Sequence, residues 1–226
     1  MELKPIARFT SPFTSKFGIP KQSGLVAELQ GRIVFEPAFR QADALRGIED
    51  FDYLWLIWGF SANRHAANSW VVRPPVLGGN TKMGVFATRS PFRPNPLGLS
   101  SVRLVRVEWE GSAGPVLHVA GGDLMDGTPI YDIKPYIAYA DSHPGVRCGF
   151  VDEHPIKRLR VEIPVEVASA FTKEQVEVLR QTLELDPRPH YQDDPQKVYG
   201  MPFEGRDVKF RVAEGVCTVL HLSSLL

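Results

Sequence analysis

Thr88-Arg89-Ser90-Pro91-Phe92-Arg93-Pro94-Asn95-Pro96-Leu97-Gly98 carries two arginines among three prolines. Proline fixes φ and disfavours helix both at and before its own position, so this path is extended and stiff. Arginines held on such a path lose little entropy on binding and can grip a carboxylate or phosphate bidentately. A stiff surface loop with solvated arginines satisfies the same spacing. From Phe60 to Val107 the chain has seven basic residues, Arg64, Arg73, Lys82, Arg89, Arg93, Arg103 and Arg106, and no Asp or Glu. Over the whole chain 26 basic residues balance 26 acidic ones. Attraction to a polyanion therefore has to come from this local patch.

Two other stretches can do chemistry. Ser11-Pro12-Phe13-Thr14-Ser15-Lys16-Phe17-Gly18-Ile19-Pro20-Lys21-Gln22 is too long and irregular for a simple hairpin connection, and Lys21 and Gln22 can meet an acid and an amide-like ring edge. Asp123-Leu124-Met125-Asp126-Gly127-Thr128-Pro129-Ile130-Tyr131-Asp132-Ile133-Lys134-Pro135-Tyr136 contains an Asp-Gly turn, where the backbone can approach a ligand closely. Asp132 and Lys134, two apart on a strand, share a face and can shift each other's proton affinity, which suits proton transfer. An Asp-Gly hairpin followed by a surface ion pair fits the same residues.

Other chemistries find no support. The six histidines and two cysteines show no His-x-x-x-His or Cys-x-x-Cys spacing, so no metal site is expected. There is no nucleophile elbow, dinucleotide fingerprint or Walker loop, which disfavours a parallel Rossmann enzyme. No apolar run of about 18 residues is present, and Met1-Glu2-Leu3-Lys4-Pro5 is unlike a signal peptide, so the expectation is a cytoplasmic protein outside the membrane.

The elements that position these stretches read mostly as strands through the first two-thirds of the chain. Expected strands are Leu25–Gln30, Arg32–Phe35, Tyr53–Phe60, Gly84–Thr88, Ser100–Trp109, Val116–Ala120 and Ile130–Ile133. A short helix near Phe39–Arg46 should stop at Gly47. Tyr53-Leu54-Trp55-Leu56-Ile57-Trp58 is apolar at every position, as in a strand buried on both faces. Strands at this spacing suggest a closed or nearly closed barrel. After about residue 150 the pattern changes: Thr172-Lys173-Glu174-Gln175 has capping-box form ahead of Val176, Leu179 and Leu183, and Val208, Phe210 and Val212 alternate as in a half-buried strand. The fold class expected is mainly β with a small α+β C-terminal domain, divided into residues 1–150 and 151–226.

Taken together the stretches resemble the TrmO (YaeB-like) family of tRNA methyltransferases. The resemblance rests on Ser11-Pro12-Phe13 with Pro20-Lys21-Gln22, on the run from Lys82 to Ser100, on Asp126-Gly127-Thr128-Pro129 with Asp132-Ile133-Lys134-Pro135-Tyr136, and on Asp186-Pro187-Arg188-Pro189-His190-Tyr191. It implies a single-sheet β-barrel N-terminal domain that binds S-adenosyl-L-methionine and a C-terminal domain that assists the tRNA. It further implies a homodimer that methylates N6 of N6-threonylcarbamoyladenosine beside the anticodon, at position 37 in the anticodon loop. Carried over, the cofactor contacts are Pro20, Lys21, Gln22, Arg64, His65, Arg89, Leu99, Asp126, Gly127, Thr128 and Pro129. Tyr131, Asp132 and Lys134 are the candidates to position or accept the N6 proton. Alternatives are a barrel that binds S-adenosylmethionine or RNA without methyl transfer, and a methyltransferase with a different acceptor. Since the carried-over cofactor stretches precede residue 150, a fragment ending near Val151 is expected to keep the barrel and its cofactor affinity, provided it stays folded, with Arg188 among the residues touching tRNA phosphates.

Overall fold

The computed structural model describes residues 2–63, 69–188 and 194–225. In chain order the strands are β1 (Ala7–Thr10), β2 (Gln30–Phe35), β3 (Tyr53–Gly59), the short pair β4 (Val71–Val72) and β5 (Met83–Gly84), β6 (Leu97–Glu108), β7 (Val116–Ala120) and β8 (Pro129–Pro135). A one-turn helix α1 (Ala138–Asp141) follows, then β9 (Arg160–Glu162), α2 (Val165–Ala168), α3 (Lys173–Glu184), β10 (Tyr199–Phe203), β11 (Arg206–Ala213) and β12 (Val216–Ser224). The protein is mainly β.

Six strands hydrogen-bond in the closed order β1-β2-β7-β6-β3-β8, and β1 completes the ring by pairing with β8 through Ala7 opposite Ile130. Side chains alternate inward along each strand, so Ala7 and Phe9, Ile33 and Phe35, Leu54 and Leu56, and Ile130 fill the interior. That alternation corrects the expectation for β3. Leu54, Leu56 and Trp58 are buried, but Trp55 and Ile57 are half-buried and Tyr53 is exposed, so only one face of the strand lies in the core. The apolar character of the other face has a different use, described below.

Two expected elements take other forms. Leu25–Leu29 is not a strand: Val26 and Leu29 are buried in turns ahead of β2, and their apolar faces belong to a second core. Gly84–Thr88 becomes the last residue of β5 and a 3-10 turn at Val85–Ala87, anchored where the Val85 N–H donates to Trp70 O (2.9 Å). The helix near Phe39–Arg46 divides into two 3-10 turns, Pro37–Phe39 and Ala42–Leu45, with Gly47 beyond them at φ 84° as a left-handed stop.

The C-terminal part is a four-stranded sheet, β10-β11-β12-β9, in which β9 runs parallel to β12 and α3 packs across. The α3 N-terminus has the expected capping box: Thr172 Oγ1 accepts from the Gln175 N–H (3.2 Å) and Gln175 Oε1 accepts from the Thr172 N–H (3.0 Å). Val178, Leu179 and Leu183 on one helix face meet Met201, Phe203, Val208 and Phe210. Phe13, Val26 and Leu29 from the loop between β1 and β2 are buried in this same core, and Phe17, Ile19 and Leu25 pack against it. The second core is therefore built from both ends of the chain. Among the described residues no helix is long and apolar enough to cross a membrane.

Candidate functional site

Where β3 ends and β6 and β8 begin, three loops meet around a cleft of about 600 Å³. The loop between β1 and β2 supplies Lys16, Ile19, Pro20, Lys21 and Gln22; the loop before β6 supplies Thr88, Arg89, Pro91, Arg93 and Asn95; the segment before β8 supplies Asp123, Met125 and Thr128. Trp55, Trp58 and Asn63 with Leu97, Gly98 and Leu99 form the wall. Trp55, on the outer face of β3 and outside the core, is thus part of the cleft wall, and Trp58 reaches the same cleft from the buried face.

Short-range bonds explain why the first loop sits there. Asp126 Oδ1 accepts from the Ser11 N–H (3.0 Å), while the Asp126 N–H donates to Phe13 O (2.9 Å) and the Gly127 N–H to Phe9 O (2.8 Å). The Asp126–Thr128 turn therefore fastens the loop to the barrel, and Phe13 pins its middle in the second core. Gly18 lies at φ 92°, and a Cβ there would stand 2.5 Å from Met201 Sδ, so both conformation and space require glycine.

The two loop arginines have different tasks. Arg93 Nη1 donates to Thr88 O (3.1 Å) and Ser90 O (3.3 Å), clamping its own loop. Arg89 Nη1 donates to Gln22 Oε1 (2.5 Å), joining the two loops across the cleft. The wider basic patch is divided: Arg103 pairs with Glu28 (2.9 Å) and Arg106 with Glu108 (3.5 Å), away from the cleft.

Charge in the cleft is uneven. Among the described residues that line it, Lys16, Lys21, Arg89 and Arg93 stand with one carboxylate, Asp123. Burial pushes the Asp123 carboxyl above its usual range, opposed by a hydrogen bond from Ser100 and by the charge of Arg89. Partial burial lowers the Lys21 ammonium below the usual lysine range, with Asp186 acting the other way. Asp186 sits at φ 49° and takes a bidentate bond from Arg188, Nε to Oδ1 at 2.8 Å and Nη2 to Oδ2 at 2.9 Å. Burial raises the Asp186 carboxyl, but Arg188 and Lys21 outweigh it and hold it below the usual range. Arg188, with a side chain only 11% exposed, is engaged inward with Asp186. Cys217 behind it is pushed up to about 12, chiefly by burial and then by Asp186, so it is an inert thiol. Among the described residues no cluster of His, Cys, Asp and Glu could hold a metal.

Of the residues singled out from sequence, Pro20, Lys21, Gln22, Arg89, Leu99 and Thr128 line the cleft. Asp126 and Gly127 are exposed on the turn beside it, Pro129 is buried at the start of β8, and Arg64 and His65 lie outside the described residues. Tyr131, Asp132 and Lys134 are not among the lining groups. A register shift puts Ile130 opposite Trp58 and Asp132 opposite Ile57, leaving Tyr131 as the extra residue, its ring over Gly59 of the cleft wall. Lys134 Nζ pairs with Asp132 Oδ2 at 3.0 Å, both well exposed. Sequence reasoning assigned no role to Asp123, Asn63, Trp55 or Trp58. Asn63 Nδ2 is buried and, among the described residues, has no hydrogen-bond partner, although Asn63 Oδ1 accepts from Lys16 Nζ.

Comparison with known proteins gives a consistent result. Residues 8–142 match the model of the tRNA-methyltransferase O N-terminal domain, and residues 156–225 that of the TrmO C-terminal domain. A tRNA (adenine(37)-N6)-methyltransferase of Escherichia coli K12 is 36% identical over 229 residues, covering 98% of this chain and 97% of its own. A Pyrococcus abyssi protein, named a probable S-adenosyl-L-methionine-binding protein, is 35% identical over 159 residues, covering 70% of this chain and 80% of its own. The crystal structure of TrmO from Pseudomonas aeruginosa superposes with a TM-score of 0.79 at 30% identity, covering 99% of this chain and 98% of that one.

Proposed function

Because the chain belongs to the TrmO family, in which S-adenosylmethionine-dependent enzymes methylate N6 of adenine 37 in tRNA, we propose that its own acceptor is N6-threonylcarbamoyladenosine at that position. The observation that carries this reading is the cleft, where, among the described residues, cations, one carboxylate, a buried amide donor without a partner and aromatic walls converge.

These residues fit S-adenosyl-L-methionine, which presents a carboxylate, an ammonium, ribose hydroxyls, an adenine and a sulfonium, and so needs charges of both signs beside an apolar surface. When bound, it supplies an electrophilic methyl group whose departure leaves a neutral thioether. In this reading Arg89, already aimed across the cleft at Gln22, takes the carboxylate, with Lys21 as a second cation. Leu99, 56% exposed on the wall, covers the adenine. Asn63 Nδ2 offers a hydrogen bond that is costly to leave unmade.

The chain's contribution to rate is alignment of the acceptor N6 and removal of its proton. Tyr131, with its ring over Gly59, stands nearest the cleft among the three residues considered for that proton, and Asp132 and Lys134 neutralise each other one step further out. The acceptor base lies in an unpaired loop, so it can be splayed out at little pairing cost. Arg206 and Arg211 on β11 are exposed and suited to phosphate contacts that set orientation, as the C-terminal role requires.

The test is mass spectrometry of tRNA incubated with the protein and S-adenosylmethionine. One added methyl on N6-threonylcarbamoyladenosine is expected, with at least tenfold less on tRNA lacking the threonylcarbamoyl group, because a site built to pair a polar substituent leaves its partners unsatisfied without it. Efficient methylation of plain adenosine would assign a different acceptor. In calorimetry, Arg89→Ala should weaken S-adenosylmethionine binding by about ten- to hundredfold, the range for losing a charge-assisted hydrogen bond. Unchanged affinity would remove Arg89 from the carboxylate position.

A further inference from the structure

Asp123 stands at the end of a chain of hydrogen bonds that begins in the barrel core. Trp58 Nε1, in a buried indole, donates to Ser100 Oγ at 2.9 Å, and Ser100 Oγ donates to Asp123 Oδ1 at 2.5 Å. Ser100 is 1% exposed, so its single hydroxyl proton is committed to the carboxylate. The backbone of Asp123 itself and that of Ser23, next to Gln22, also favour its charged form. A carboxylate so oriented is costly to keep in a half-buried wall unless a cation completes it. Arg89 is near enough to feel its charge, yet sends its hydrogen bond to Gln22. A carboxylate accepts about four hydrogen bonds, so Asp123 keeps capacity facing the cleft that it lines.

The neighbouring placement of Arg89 and Asp123 selects a ligand class. In an α-amino acid the carboxylate and the ammonium hang on one carbon, so their two counter-groups must be neighbours of opposite sign. We propose that Asp123 is the acceptor for the α-ammonium group of S-adenosyl-L-methionine, with Ser100 and Trp58 as the residues that position it. This rests on reading the cleft as the cofactor site.

Calorimetry on the full chain with three ligands tests it. S-adenosylmethionine and S-adenosylhomocysteine both carry the amino-acid group, and 5′-methylthioadenosine carries neither that group nor a sulfonium. Asp123→Asn keeps the shape and still accepts from Ser100, and should lose about ten- to hundredfold in affinity for the first two while binding 5′-methylthioadenosine as the wild type does. Ser100→Ala, which frees the carboxylate and also takes the acceptor from Trp58 Nε1, should give the same ligand pattern with a smaller loss and serves if Asp123→Asn does not fold. Unchanged affinity for S-adenosylmethionine overturns the proposal. So does an equal loss for all three ligands, which makes Asp123 a structural group, and so does a loss confined to S-adenosylmethionine, which moves its contact to the sulfonium. Failure of the wild type to bind S-adenosylmethionine overturns the cofactor reading itself.

Discussion

A chain ended after Val151 should fail to bind S-adenosylmethionine and should not form a stable barrel with an ordered cleft. The sequence points the other way for a fragment that stays folded, since the stretches whose resemblance implies cofactor contact all precede residue 150. The structure favours the opposite outcome because Phe13, Val26 and Leu29 are buried in the second core, at 0%, 1% and 3% exposure, among residues from 161 to 219. Exposing three such side chains costs roughly 1.5–3 kcal/mol each, about 5–9 kcal/mol together, against a typical total stability of about 5–15 kcal/mol. Gly18 would lose Met201, and Lys21 would lose the charge of Asp186. Near-ultraviolet circular dichroism and calorimetry on the fragment decide the matter, and a fragment with native cofactor affinity would show that the loop holds itself in place.

Gly98→Val should have the next largest effect. Gly98 is paired directly with Trp58, whose indole crosses where a side chain would begin: a Cβ on Gly98 would lie 2.3 Å from Trp58 Cε2 and 2.4 Å from Cζ2. The indole is 7% exposed and cannot swing away without opening the core, so the variant should lose about 3 kcal/mol in a urea titration. Displacing the ring also breaks the Trp58–Ser100–Asp123 chain, so cofactor affinity should fall on the order of a hundredfold. Trp58→Phe in the same chain, by removing part of the obstructing ring, should restore some of the stability. A Gly98→Val protein with unchanged urea midpoint and unchanged affinity would mean that the wall yields more easily than its packing indicates.

The strands with unbroken local signals were legible in the sequence. Val116–Ala120 is found with the expected bounds, β3 and β6 within a few residues of theirs, and the α3 capping box was visible in four residues. β1 was not, since four residues ahead of an irregular loop carry too little alternation to register, yet it closes the barrel. Residues 25–29 misled because apolar content says that a segment is buried but not against what. Periodicity likewise could not distinguish the two faces of β3: Trp55 and Leu56 are equally apolar, and only the closed sheet decides which one fills the interior. Of the residues lining the cleft, those carried by distinctive local motifs could be named from the sequence, and Asp123 could not, because Ser100, which bonds it, and Trp58, which bonds Ser100, are 23 and 65 positions away along the chain.

The sharing of the second core between the two ends of the chain has a further consequence for synthesis. β1 cannot close the ring until β8 exists, and the loop bearing Lys21 and Gln22 cannot settle until Val208, Phe210 and Val219 are available to cover Phe13 and Val26. Contacts of such long sequence separation are late and slow to form, and apolar segments waiting for them are exposed to aggregation. On the ribosome, where the chain appears from its N-terminus, the cleft is accordingly ordered only after the C-terminal strands are made, although its first residues are among the earliest synthesised.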